Sequence, residues 1–261
     1  MYKASVLVFA GSDPSGGAGI SADIEAIAAQ GAHALPIITA ITVQDNDRVF
    51  DVHPVKSRLI LQQADVLAQK ITIHAIKIGI VANRENASAI AQWIIQYKTQ
   101  YPQVPVILDP VMASGHGDLL STENAIDALM PLLPVATLIT PNLPEAELLC
   151  PTAVTQNQQA ERLMERGISD VLIKGGHGTA STVSNCWFHE GEFRSWHWPR
   201  LEGAFHGSGC TLASAIAGQL ACGKSMQQAL DAAQSYCYYT LKFAYAISTG
   251  QRIPQRQLMS T

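Results

Sequence analysis

The chain has 261 residues, of which 48% are hydrophobic and 15% charged, and a net charge of −4. That balance suits a well-buried globular core and argues against a non-specific nucleic-acid binder, which carries a basic excess. No run reaches the roughly 18 to 20 apolar residues of a membrane span, so no membrane partner is expected.

A strand-length apolar run at 6–10 ends at Gly11, too short and wrongly flanked for a signal peptide. It leads into a helix-like stretch at 20–30. Strands at 35–43, 75–80, 104–109 and 137–140 follow, each trailed by a helix-like stretch, at 59–69, 85–97, 123–133 and 156–166. A sixth strand lies at 171–174. Within 85–97, Ala87, Ile90, Ala91, Ile94 and Ile95 recur at helical spacing. The strand at 104–108 is apolar with little alternation, as in a parallel sheet covered on both faces. Repeated β-then-α order predicts a doubly wound α/β fold.

After Gly178 the rhythm changes. Residues 181–189 and 192–198 read as a hairpin around Glu190-Gly191. A glycine turn, a helix at about 209–221 and a long helix at about 225–243 come next, with the tail after Ser248 read as irregular. No repeat, low-complexity segment or linker interrupts the chain, so residues 1–261 are expected to form one domain. The cysteines at 150, 186, 210, 222 and 237 are odd in number and widely spaced, without C-x-x-C. They fit a reduced cytoplasmic protein better than a disulfide framework or a zinc finger.

Ligands of an open parallel sheet bind beyond the C-terminal strand ends. The chemically loaded segments fall there: Gly11–Gly19, Gln44-Asp45-Asn46, Gly79, Asp109-Pro110, Pro141–Glu145 and Lys174–His177. His206-Gly207-Ser208-Gly209-Cys210 then runs into an Ala-rich helix. First-turn N–H groups lack helical partners and, with the helix dipole, attract anions. Cys210 at that helix start would have its thiol pKa lowered towards neutrality and could accept a proton; a small buried hydrophobe is the bland reading.

Each other motif also has two readings. Gly11–Gly19 is neither a Walker A loop nor G-x-G-x-x-G, and reads as a mobile turn or a substrate-covering loop. Asp109 is a turn residue or a Mg²⁺ carboxylate. Asn142 and Glu145 can form a capping box, hold phosphate and a metal-bound water, or do both. Lys174 snorkels or meets a phosphate. His206 beside the cradle packs or functions. The other histidines show no metal spacing, and Trp187, Trp196 and Trp198 suit hairpin packing ahead of base stacking.

Seven segments, from Ala10–Ile20 with Ala22-Asp23, through Thr39–Gln44, Lys77-Ile78-Gly79, Asp109–Met112, Thr140–Ala146 and Lys174–His177 to His206–Ser214, resemble the hydroxymethylpyrimidine/phosphomethylpyrimidine kinases of thiamine biosynthesis in order and spacing. The resemblance covers about residues 5–245. It implies a ribokinase-like α/β/α fold with a central, mostly parallel sheet. It implies transfer of the ATP γ-phosphate to the hydroxymethyl group of 4-amino-5-hydroxymethyl-2-methylpyrimidine, then a second phosphorylation of the monophosphate, with Mg²⁺ and a homodimer.

By position, the resemblance assigns Gly11, Asp23, Gln44, Ile80 and Val111 to the aminopyrimidine. Gly207, Ser208, Gly209 and Cys210 become the anion hole, with Cys210 next to the attacking hydroxyl. Asn142, Glu145 and Lys174 fall to ATP, and Asp109 with Glu145 to the metal. Ser208 stands where Thr is common, Ile80 where Met is common, and the loop at 113–118 lacks the usual Lys. The superfamily at large carries Asp where this chain has Cys210, whereas this family has Cys. A pyridoxal kinase is the nearest rival, and a non-catalytic nucleotide sensor a more distant one.

Overall fold

Alternate residues of the first strand, β1 (Ser5–Ser12), enter two different cores. Leu7 and Phe9 join one apolar cluster, while Val6, Val8 and Ala10 join another, all at most 1% exposed. A strand buried on both faces belongs at the centre of a layered sheet. β1 pairs in parallel with β2 (His33–Gln44) and β4 (Ala75–Ile78). The sheet continues in parallel through β5 (Val106–Leu108), β6 (Leu138–Ile139) and β7 (Asp170–Ile173). The antiparallel strands β3 (Val49–Pro54) at one edge and β8 (Thr182–His189) with β9 (Glu192–Pro199) at the other complete the order β3-β2-β1-β4-β5-β6-β7-β8-β9. The computed structural model describes residues 2–112, 117, 118 and 120–257.

Helices cover both faces. α1 (Gly19–Ala29), α7 (Ser208–Ala221) and α8 (Met226–Lys242) pack on the Val6 side through Ile20, Ile27, Leu212, Ile216 and Leu230. α2 (Ser57–Ala68), α3 (Arg84–Gln100), α4 (Ala125–Leu129), α5 (Leu143–Leu149) and α6 (Gln156–Met164) pack on the Phe9 side through Ile60, Ile90, Leu129, Leu149 and Leu163. This is the ribokinase-like three-layer architecture. α7 lies close against the C-terminal end of α1, because a Cβ at Gly218 would stand 2.9 Å from the Gln30 Cβ.

A buried charge ties three elements together beneath the strand ends. Lys77 of β4 donates to both carboxylate oxygens of Asp23 on α1, at 2.8 and 3.0 Å, and Ser214 of α7 donates to Asp23 at 2.6 Å. All three residues are fully buried. Removing one partner of such a pair leaves an uncompensated buried charge, which costs about 3–5 kcal/mol.

Two expectations need correction. β3 was not foreseen: Asp45 accepts the amides of Asp47 and Arg48, both at 2.8 Å, and the turn this makes brings a short, largely exposed edge strand back onto β2. The helix expected at 123–133 breaks after Leu129 into a 3-10 turn, Met130–Val135, because Pro131 and Pro134 lack the N–H that a continued α-helix needs. The tail after Ser248 is irregular as expected over its described residues, 249–257, and these are packed, with Gln251 and Arg256 buried and Tyr245 bridged to Ile253.

Candidate active site

The ends of β1, β2, β4, β5, β6 and β7 converge on one cleft of about 310 Å³. Gly11, Gln44, Ile80, Asp109, Val111, Asn142, Glu145, Lys174 and Gly207–Cys210 all line it. Asp23 does not. It lies under the floor, fully buried and engaged by Lys77 and Ser214, and so is no substrate-contacting residue. Its place within the α1 motif carries no sign of that pairing.

The glycine turn owes its shape to close backbone packing. Gly207 has φ +81° and caps α7, and a Cβ there would collide with the Gly17 carbonyl. Gly209 faces the charged floor, since its Cβ would stand 3.2 Å from Lys174 Nζ and 3.4 Å from Asp109 Oδ2. Ser208, Gly209 and Cys210 are the first three residues of α7, so their N–H groups have no acceptor within the helix. The cysteine departs from expectation. Burial pushes its thiol up to about 11, helped by the Asp23 and Asp109 carboxylates and only partly opposed by Lys77 and the Gly19 amide. Desolvation outweighs the helix start here.

Two carboxylates stand opposite the cradle. Asp109 Oδ1 accepts from Lys174 Nζ at 2.8 Å and from Thr140 at 3.1 Å, whereas its Oδ2 is buried without a hydrogen-bond partner. Burial opposes its ionisation, yet Lys174, Lys77 and Thr140 hold the carboxyl below the usual range. Glu145 sits at the third position of α5 in a complete capping box. Asn142 Oδ1 accepts the Glu145 amide at 2.9 Å, and Glu145 Oε2 accepts the Asn142 amide at 2.8 Å. Burial pushes the Glu145 carboxyl up to about 7, and Asp109 adds to that against the pull of Lys174. Capping fixes Glu145 without taking it from the cleft. Among the described residues no group of three His, Cys, Asp or Glu could ligate a metal. The orphaned Asp109 Oδ2 and Glu145 instead make a two-carboxylate set, suited to a hard cation that draws its other ligands from phosphate and water.

Sequence reasoning overlooked other residues around the cleft. Asp13 pairs with His206 at 2.8 Å, and its oxygens also accept the Ser15 and Ala18 amides. The short-range Asp13 turn was a readable signal; the partner 193 residues away was not. Arg256 is buried, donating to the Gly17 carbonyl, to Thr211 Oγ1 at 2.8 Å and to Glu25 at 3.2 Å. Nothing in its local sequence marks it. Residues 113–116 of the loop expected to lack a Lys lie outside the described residues, while Asp118 pairs with Arg48 at 2.5 Å. Trp187, Trp196 and Trp198 are outside the cleft lining; Trp187 donates to Asp170, Trp196 to Asp231, and Trp198 stacks on Tyr238.

Residues 13–255 match the family model described as phosphomethylpyrimidine kinase. A hydroxymethylpyrimidine/phosphomethylpyrimidine kinase from Rhizobium meliloti is 36% identical over 255 residues, 95% of this chain and 94% of that protein. The phosphomethylpyrimidine kinase structure from Clostridium difficile superposes with a TM-score of 0.75 at 32% identity, covering 90% of this chain and 98% of that one. The Staphylococcus aureus pyridoxal kinase, solved with pyridoxal and with AMP-PCP, superposes with a TM-score of 0.85 at 26% identity, covering 98% and 94%.

Glu145 makes the free protein's stability depend on pH. Its folded pKa of about 7 lies above the ordinary 4.5, so its contribution is fully present below 4.5 and lost as pH rises through about 7. The slope reaches at most about 1.4 kcal/mol per pH unit. Urea unfolding from about pH 5 to about pH 8 should show Glu145→Gln gaining steadily on the wild type, since Gln keeps the capping box without the charge. A difference independent of pH would mean that Glu145 titrates as an ordinary carboxyl.

Proposed function

The chain belongs to the phosphomethylpyrimidine kinase family, and from that premise we propose how its cleft carries a phosphoryl group from ATP to the hydroxymethyl oxygen of 4-amino-5-hydroxymethyl-2-methylpyrimidine, and then to the monophosphate, in thiamine biosynthesis. One observation carries the reading: the free N–H groups of the α7 start, the Asp109–Lys174 pair and Gln44 line the same cleft.

Phosphoryl transfer needs positioning and charge stabilisation more than covalent help from the protein. The N–H groups of Ser208, Gly209 and Cys210 are placed to receive the charge of the transferring group. Lys174 holds a phosphate oxygen while anchored to Asp109, and Asn142 offers its Nδ2 once its Oδ1 has capped α5. Asp109, through its unpaired Oδ2, and Glu145 would hold Mg²⁺, which would supply neutralisation of phosphate charge. At the other end of the cleft, Gln44 meets the aminopyrimidine edge beside Gly11, Ile80 and Val111. This end favours the aminopyrimidine over pyridoxal, the substrate of the solved relative.

Cys210 takes the hydroxyl proton as its oxygen attacks. The thiol is protonated near neutrality, so this step draws on a small thiolate fraction that grows with pH. Two further readings complete the proposal. A second copy of the chain covers β2 and β3, where Ile38, Ile41, Val43 and Phe50 stand exposed. The five free cysteines favour the reducing cytoplasm.

Product analysis with ATP, Mg²⁺ and the hydroxymethylpyrimidine should yield the mono- and then the diphosphate; faster turnover of pyridoxal would overturn the substrate assignment. In the wild type, kcat should climb from about pH 7 to about pH 9. Cys210→Ala should lose about 10²–10⁴-fold in kcat with a flat profile and an unchanged KM for ATP. Full turnover in that variant would remove the cysteine from proton transfer. Sedimentation should give twice the chain mass of 28.0 kDa, and a monomer at micromolar concentration would rule out the dimer.

A further inference from the structure

The cleft residue Gln44 has a neighbour whose chemistry limits what it can offer. His206 Nε2 lies 2.8 Å from Asp13 Oδ2 and 3.4 Å from Gln44 Nε2. Asp13 is buried, and burial favours its protonated form. The His206 ring, the Ser15 side chain and the Ala18 amide outweigh that effect and hold the carboxyl below its ordinary value. An ionised carboxylate only accepts hydrogen bonds, so the proton of this contact sits on His206 Nε2. A protonated ring nitrogen has no lone pair in the ring plane. The Gln44 NH₂ therefore cannot donate to it, and the 3.4 Å approach sets donor against donor. A half-turn of the amide resolves the conflict: Oε1 then faces the ring N–H, which stays on Asp13 Oδ2 and is shared with Oε1 only as the longer arm, and the NH₂ is freed.

The ring is not free to leave this position. A Cβ at Gly17 would collide with His206 Cδ2, so the imidazole rests on bare backbone. Its own backbone is fixed too, since the His206 amide donates to Arg252 O at 2.9 Å. The unit made by Asp13, Gly17 and His206 is thus rigid, whereas the Gln44 amide can turn.

We propose that His206 is a positioning residue that orients the Gln44 amide, its carbonyl towards His206 and its NH₂ towards the substrate, so that the cleft reads a donor–acceptor pair in one order only. The inference rests on the aminopyrimidine reading above. In that substrate the ring nitrogen accepts from the Gln44 NH₂, and the adjacent exocyclic amine donates to the remaining lone pair of Oε1. A ring that lacks an amine beside its nitrogen leaves half of this edge unmatched. Selectivity of this kind arises because an unpaired polar group in a closed site disfavours the wrong ligand.

The test compares His206→Leu, His206→Gln, Gln44→Ala and the double variant His206→Leu/Gln44→Ala in steady-state kinetics, with thermal unfolding as a folding control. His206→Gln restores a donor near the same place. His206→Leu should raise KM for the hydroxymethylpyrimidine about tenfold, the scale of one lost hydrogen bond, with kcat and KM for ATP little changed. His206→Gln should recover most of that loss, and the double variant should be no worse than Gln44→Ala. Fully additive losses, or a loss confined to kcat, would overturn the proposal.

Nitrogen NMR of the imidazole in the ligand-free wild type gives a reading that needs no substrate. A proton on Nε2 is expected, and a bare Nε2 would overturn the proposal even if every variant failed to fold. A protonated Nε2 in a protein that turns over pyridoxal but not the aminopyrimidine would sink the substrate assignment and leave the orientation of Gln44 standing.

Discussion

Two backbones meet where neither has a side chain, and the site depends on that meeting. Gly17 and Gly207 come from the first and last thirds of the chain, yet a Cβ on Gly207 would collide with the Gly17 carbonyl and a Cβ on Gly17 with His206. Arg256 secures the junction by donating to the same carbonyl. The junction seats the start of α7 at the strand ends, where Ser208, Gly209 and Cys210 line the cleft. Without this contact Asp109, Lys174 and Glu145 would form a charged floor with no cradle opposite them.

Charge is arranged in two tiers beneath the cradle. The lower tier, Lys77 with Asp23, is sealed and fully paired, and it acts on the site only through its field. The upper tier, Asp109 with Lys174 and Glu145, lines the cleft and is incomplete, with one carboxylate oxygen lacking a partner. A protein interior rarely tolerates an orphaned acceptor unless something else satisfies it in use. The contrast between a completed pair and an incomplete set distinguishes a structural charge from one that awaits a ligand. It also explains why Asp23, next to a recognisable motif, does not meet the substrate.

Much of the site was legible in the sequence because its residues break local rules. Asp109 and Lys174 end apolar strands where a charge is poor strand material, and Asn142 with Glu145 spells a capping box. The hairpin at Glu190-Gly191 was legible for the same reason: both residues adopt positive φ, as such tight turns demand. What stayed hidden depends on partners far away in sequence. Asp23 looks like any helix Asp until Lys77 arrives 54 residues later, and β3 needs the Asp45 turn to find β2. The Cys210 thiol was misread because a helix start suggests stabilised thiolate, while the degree of burial is a tertiary property.

Arg256 and Gly17 are separated by 239 residues, so the contact that secures this junction closes a very long loop. Local β-α units can form early, whereas pairings of this range pay their loop entropy late. During synthesis, β1 to β7 are free to assemble long before Arg256 leaves the ribosome. For that interval the Gly17–Gly207 junction is not yet fastened by Arg256. The closing of the cleft thereby waits on a pairing of this long range.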